Sequence, residues 1–121
     1  MSATALLLVA LGGALGSLAR AVGSMLVPAS RLPWATILIN VIGSLVIGWL
    51  MARLSPLDAE DLPGHAFWVV GVCGGFTTFS SFSWQTIALL QKGDWLAAIG
   101  NVLLSVVLCL AATALGWRIG R

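Results

Sequence analysis

This chain carries little charge. Six basic and four acidic residues are all that its 121 residues carry, 8% of the total, where a soluble domain carries about 25%. With 60% of residues hydrophobic, a soluble fold would have no surface to show water. The net charge of +2, with no basic cluster, also excludes nucleic acid as a partner. Cysteine is scarce. Cys73 and Cys109 both lie inside apolar runs, with no CxxC and no histidine beside them. That excludes a disulfide framework and a zinc site, and both read as small packing residues. No nucleophile–base pair or metal cluster stands out, so the chain does not read as an enzyme.

What is there is apolar length. A membrane-spanning helix needs about 20 mostly apolar residues, and four stretches qualify: 3–26, 32–52, 66–91 and 95–117. Arg20 is the clear charged exception within them, and Arg118 and Arg121 close the chain. Trp34, Trp68, Trp95 and Trp117 sit near span ends, where amphipathic rings prefer the headgroup zone. The first run lacks a basic segment ahead of it, which argues against a cleaved signal peptide. The largest polar segment, 55–65, holds Asp58, Glu60 and Asp61 between prolines. Lys92-Gly93-Asp94 makes a tight turn between spans three and four. No repeat is visible, and residues 1–121 read as one four-helix transmembrane domain.

Four spans place both termini and the 53–65 loop on one side. Arg53, Arg118 and Arg121 lie there, against Arg31, Lys92 and the nearby Arg20 on the other. The Lys/Arg bias that sets orientation is almost nil, so insertion both ways up is expected. Four such helices enclose little space, so a transporter built from them is expected to assemble. Gly12 and Gly16 in span one, and Gly43 and Gly48 in span two, suit close helix packing.

Intramembrane polar groups carry the functional signal. Arg20 either snorkels to the headgroups or is a buried charge that ties helices together or attracts anions. Asn40, with Ser44 one turn later, is either interhelical glue or a pair of amide donors facing a path. Asn101, Ser105 and Cys109 form a stripe in span four that is open to the same two readings. Span three is the most unusual, with Gly74-Gly75-Phe76-Thr77-Thr78-Phe79-Ser80-Ser81-Phe82-Ser83. Adjacent glycines followed by adjacent threonines are expected to interrupt the helix mid-membrane, and freed backbone groups there must be met by protein or by ions. Beyond the break Phe79 and Phe82 share a face, with Ser80 and Ser83 at the same spacing beside them. The alternative is ordinary packing aromatics with hydroxyls bonded to their own backbone.

Taken in order, Gly12-Gly13-x-x-Gly16-x-x-x-Arg20, Thr36-x-x-x-Asn40-x-x-Gly43-Ser44 and Gly74-Gly75-x-Thr77-Thr78-Phe79-Ser80-x-Phe82-Ser83 resemble the motifs of the Fluc (CrcB-type) fluoride channel family. The resemblance covers nearly the whole chain. It implies an all-α protein with a broken third helix, assembled as an antiparallel dual-topology homodimer with two pores. It implies a passive channel in the plasma membrane (the bacterial inner membrane) that exports cytoplasmic fluoride and relieves its toxicity. It implies a structural sodium ion at the dimer interface, held by the backbone carbonyls of Gly74 and Thr77. It implies a fluoride path lined by Asn40, Phe79 and Phe82, with hydroxyls from Ser80 or Ser83 and from Ser105. The chain departs from the family pattern at Asn101 and Ala21, where aromatics occur, and at Gln85, where an acid is frequent.

The chemistry is coherent. Fluoride is small and strongly hydrated, so dehydration must be offset by donors such as Asn40 and the hydroxyls. Phe ring edges carry positive potential and can face an anion. A four-helix proton-coupled exporter would need an acid within a span, and Asp58, Glu60, Asp61 and Asp94 all lie outside the runs. An anchor or assembly protein would leave the Gly-Gly-Phe-Thr-Thr-Phe cluster without a purpose.

Overall fold

The computed structural model describes residues 1–54 and 62–121; Asp58, Glu60 and Asp61 of the acidic connection lie outside the described residues. The described residues are helical apart from short connections. Helix α1 is Ala3–Met25 and α2 is Trp34–Leu54. The third span is in two pieces. Its first piece, α3 (65–76), is wound as a π-helix over His65–Cys73 and ends in one α turn, Gly74–Phe76; its second, α4, is Phe79–Gln91. Helix α5 is Trp95–Gly120. Four spans, Ala3–Met25, Trp34–Leu54, His65–Gln91 and Trp95–Gly120, are long and apolar enough to cross a bilayer.

Local chemistry sets where the helices begin. Ser2 Oγ accepts the Ala5 N–H at 3.1 Å at the start of α1, meeting one of the amide donors a helix start leaves open. Asp94 does the same for α5, accepting the Ala97 N–H at 3.2 Å. Gly93, at φ +76°, turns the chain between α4 and α5, a conformation that costs glycine little. Asp94 also receives Arg31 in a forked pair, Nε to Oδ2 at 2.8 Å and Nη2 to Oδ1 at 2.7 Å. The first and last connections are thereby tied together at one end of the bundle.

The packing inverts the pattern of a soluble core. Large residues such as Leu7, Leu18, Leu103 and Leu110 face outward, while Ala5, Ala66, Ala97, Ala98 and Ala112 are buried. In lipid an exposed leucine costs nothing, and helices associate through close van der Waals contact at small residues. Helix α1 lies against α3, and α2 against α5. A Cβ added to Gly12, Gly16 or Gly75 would collide with the backbone oxygen of Phe67, Val72 or Gly13 respectively. Gly48 and Gly116 do the same for α2 and α5, meeting the carbonyl oxygens of Thr113 and Leu45.

The interruption of the third span falls at the threonines. Gly74 and Gly75 remain helical, whereas Thr77 (φ −81°, ψ 160°) and Thr78 (φ −152°, ψ 113°) are extended. Gly75 is needed for the approach of α3 to Gly13 and does not make the break. The π winding of His65–Cys73 has no counterpart in the residue pattern; Gly74 N–H reaches back five residues to the Val69 carbonyl.

Candidate functional site

Two extended residues in the middle of an apolar span leave backbone groups that must find partners within the protein. Asn40 on α2 supplies them for Thr78. Its Oδ1 accepts the Thr78 N–H at 2.8 Å, and its Nδ2 donates to the Thr78 carbonyl at 3.0 Å. Thr78 in turn caps α4, its Oγ1 accepting the Ser81 N–H at 3.2 Å. Thr77 Oγ1 donates to the Cys73 carbonyl at 2.9 Å. These bonds divert the donors that a continuous helix would send back four residues. Thr78 N–H would have met the Gly74 carbonyl and Ser81 N–H the Thr77 carbonyl; both are held elsewhere. Gly74 also has open space where a side chain would stand.

The break opens onto a groove of about 670 Å³ between α2, α3, α4 and α5. Asn40, Gly74, Thr77, Phe79, Phe82 and Ser105 all line it. Sequence positions from three spans thus meet at one place. Phe79 is 78% exposed, and its ring lies 5.3 Å from that of Phe82 at 44°. Ser80 and Ser83 stand off the groove lining. Ser80 Oγ lies 3.3 Å from Thr78 Oγ1, and Ser83 Oγ donates to the Phe79 carbonyl at 2.9 Å. Arg20, half-buried one step beyond Gly16 on α1, makes no ion pair with a described residue.

Span four adds a second polar connection. Asn101, 1% exposed, donates from Nδ2 to Thr86 Oγ1 at 2.8 Å and accepts from Ser105 Oγ at 3.4 Å. Thr86 Oγ1 donates to the Phe82 carbonyl at 2.8 Å. Asn101 therefore ties α5 to the α4 turn that carries Phe82. Thr86 did not stand out in the sequence, because a single threonine in an apolar helix carries no pattern. The Thr78-x-x-Ser81 spacing was a legible cap signal. The Arg31–Asp94 pair, 63 residues apart, had no local signal.

The charged cap lies outside the spans. The Arg31 guanidinium holds the Asp94 carboxyl down to about 2, with the Ala97 N–H assisting and partial desolvation opposing. Arg31 is correspondingly pushed up, first by its hydrogen bond to Asp94.

These features define an all-helical, four-span integral membrane protein with a polar break in its third span. A family model described as "CrcB-like protein, Camphor Resistance (CrcB)" matches residues 7–117. A relative from Paramagnetospirillum magneticum, named "Fluoride-specific ion channel FluC", is 54% identical over 115 residues, covering 90% of this chain and 89% of the relative. Relatives of the same name from Methylobacterium radiotolerans and Thermus thermophilus are 51% and 48% identical, covering 96% and 94% of this chain and 84% and 93% of their own lengths. The chain belongs to the CrcB-like family.

Proposed function

We propose that this protein is a fluoride-selective passive channel that lets cytoplasmic fluoride leave the cell and so relieves its toxicity. It is a transport protein and not an enzyme, in keeping with the channel name its relatives carry. The observation that supports it most is the break at Thr77–Thr78, held by Asn40 and opening onto a groove edged by Phe79 and Phe82. Fluoride loses its water in such a place only if donors and positive ring edges replace it. Asn40 keeps one amide proton beyond the one given to Thr78, and the Phe edges add favourable potential without a full charge that would trap the ion. Ser105 on the lining, and Ser80 and Ser83 off it, complete the path only by turning their hydroxyls from their resting partners to the ion as it passes.

Phe79 on the groove lining is 78% exposed in one copy, so the working unit is a homodimer that covers it in the bacterial plasma membrane, its subunits inserted in opposite directions with two pores. The near-zero Lys/Arg bias supports that arrangement. The freed carbonyls of Gly74 and Thr77, two from each subunit, suit a hard cation such as sodium at the subunit interface. Arg20, the half-buried charge of α1, attracts anions toward the protein or steadies the assembly. The deciding experiment is fluoride efflux from liposomes containing only the purified chain, read with a fluoride electrode. Fast fluoride release with no chloride release is expected; no release above empty liposomes removes the proposal.

A further inference from the structure

The hydroxyls that line the groove are not equivalent. Each has one proton to donate, and the fold fixes where most of those protons go. Thr77 gives its proton to the Cys73 carbonyl at 2.9 Å, Thr78 gives its own to Ser81 Oγ at 3.1 Å, and Ser105 points its own at Asn101 Oδ1 over a long, weak 3.4 Å contact. Off the lining the same holds. Thr78 has no second proton, so in its contact with Ser80 the donor is Ser80. Ser83 donates to the Phe79 carbonyl. The remaining groove hydroxyl is Ser44, and it makes no hydrogen bond with any described residue. Nor is its oxygen sealed: among the described residues, the buried side-chain atoms without partners are His65 Nδ1 and Gln85 Oε1.

Ser44 lies one helical turn from Asn40 on the same face of α2, so their Cβ atoms are about 6 Å apart. Asn40 has one amide proton left after bonding to the Thr78 carbonyl. The two residues therefore present uncommitted donors in succession along one wall of the groove. A dehydrated anion moving past Asn40 meets no other hydroxyl on that lining whose proton is free at rest. We infer that Ser44 is a second fluoride-binding station, one turn beyond Asn40, and that it sets how readily the ion passes. The inference rests on the channel reading above.

The test is Ser44→Ala in liposomes, with efflux normalised to folded, monodisperse protein. Alanine keeps the helix, since it has the highest helix propensity of any residue. Loss of one donor to a charged ligand is expected to lower the fluoride rate at least about tenfold with thermal stability unchanged. Ser44→Thr, which restores a hydroxyl, is expected to recover most of the rate, and Ser44→Cys, a weaker donor of similar shape, to fall between. Wild-type efflux from Ser44→Ala overturns the inference and leaves the channel reading standing. A lower rate that tracks a lower melting temperature, with no recovery in either Thr or Cys, makes Ser44 a packing residue and overturns it too. No efflux from the unmodified chain overturns the channel reading and this inference with it.

Discussion

Asn40 and Thr78 form a closed pair: one side-chain amide satisfies both the N–H and the C=O of one extended residue in the middle of a span. An asparagine matches a peptide unit because it carries an acceptor and a donor in one plane. Glue and donor, the two roles open to Asn40 from the sequence, are compatible. One amide proton goes to the backbone and the other stays available.

That pairing predicts a double effect for substitutions at Asn40. Asn40→Ala leaves both Thr78 groups without partners in a buried setting, and a loss of about 2 kcal/mol or more is expected. Asn40→Asp can still accept the Thr78 N–H, but, ionised, its second oxygen faces the Thr78 carbonyl and its charge faces the anion. Both variants are expected to lose fluoride efflux and to melt at lower temperature in detergent. Wild-type melting of Asn40→Ala would show that the pair does not hold the break.

The phenylalanines are expected to behave differently. Phe79 is 78% exposed in one subunit, so Phe79→Ile removes little packing within it. Phe79→Ile and Phe82→Ile keep bulk and delete the ring edge. Efflux per folded protein should fall sharply in each while yield and melting temperature change little. Normal efflux in both would take the rings out of the pore.

The glycines separate by what surrounds them. Gly16→Ala and Gly75→Ala drive a methyl group into the backbone of the facing helix, and large losses of folded protein are expected. Gly23→Ala meets nothing within 4 Å; it should be neutral or stabilise by up to about 1 kcal/mol, since it only stiffens the unfolded chain and helix. Recovery from gel filtration, compared across the three variants, checks the contrast.

At the bundle end, pH dependence has a definite sign. The Asp94 carboxyl titrates at about 2 in the fold against an ordinary 3.8. A lowered carboxyl contributes stability that is present above its unfolded value and lost as pH falls through its folded value. The contribution of the Arg31–Asp94 pair should therefore persist down to about pH 4 and vanish toward pH 2. Asp94→Asn keeps a capping oxygen and should flatten the stability curve in that window. Because the pair is open to water, high salt should weaken it as well. An unchanged acid limb in Asp94→Asn would refute the assignment.

Sodium offers a further check. If the Gly74 and Thr77 carbonyls hold a structural cation between subunits, replacing sodium with a bulky organic cation should reduce dimer recovery or fluoride efflux, and sodium should restore both. Equal behaviour in the two salts, after verified removal of sodium, would count against the cation.

The residue order alone determined the four spans, because apolar length is a local property and a bilayer accepts little else. It determined the position of the break to within a few residues, since two β-branched threonines with side-chain hydroxyls compete for the helix hydrogen bonds. It could not show that the glycines before them stay helical, or that Gly75 is there for its close approach to the backbone of α1 at Gly13, about 60 residues away in the chain. The Asn40–Thr78, Arg31–Asp94 and Asn101–Thr86 pairs join residues 38, 63 and 15 apart, and no periodicity encodes such partners. Ser44 shows the same limit most clearly. Its sequence neighbourhood offers a serine like the others, and only the tertiary structure, by giving the protons of Thr77, Thr78 and Ser105 partners, singles it out as the groove hydroxyl with no partner among the described residues.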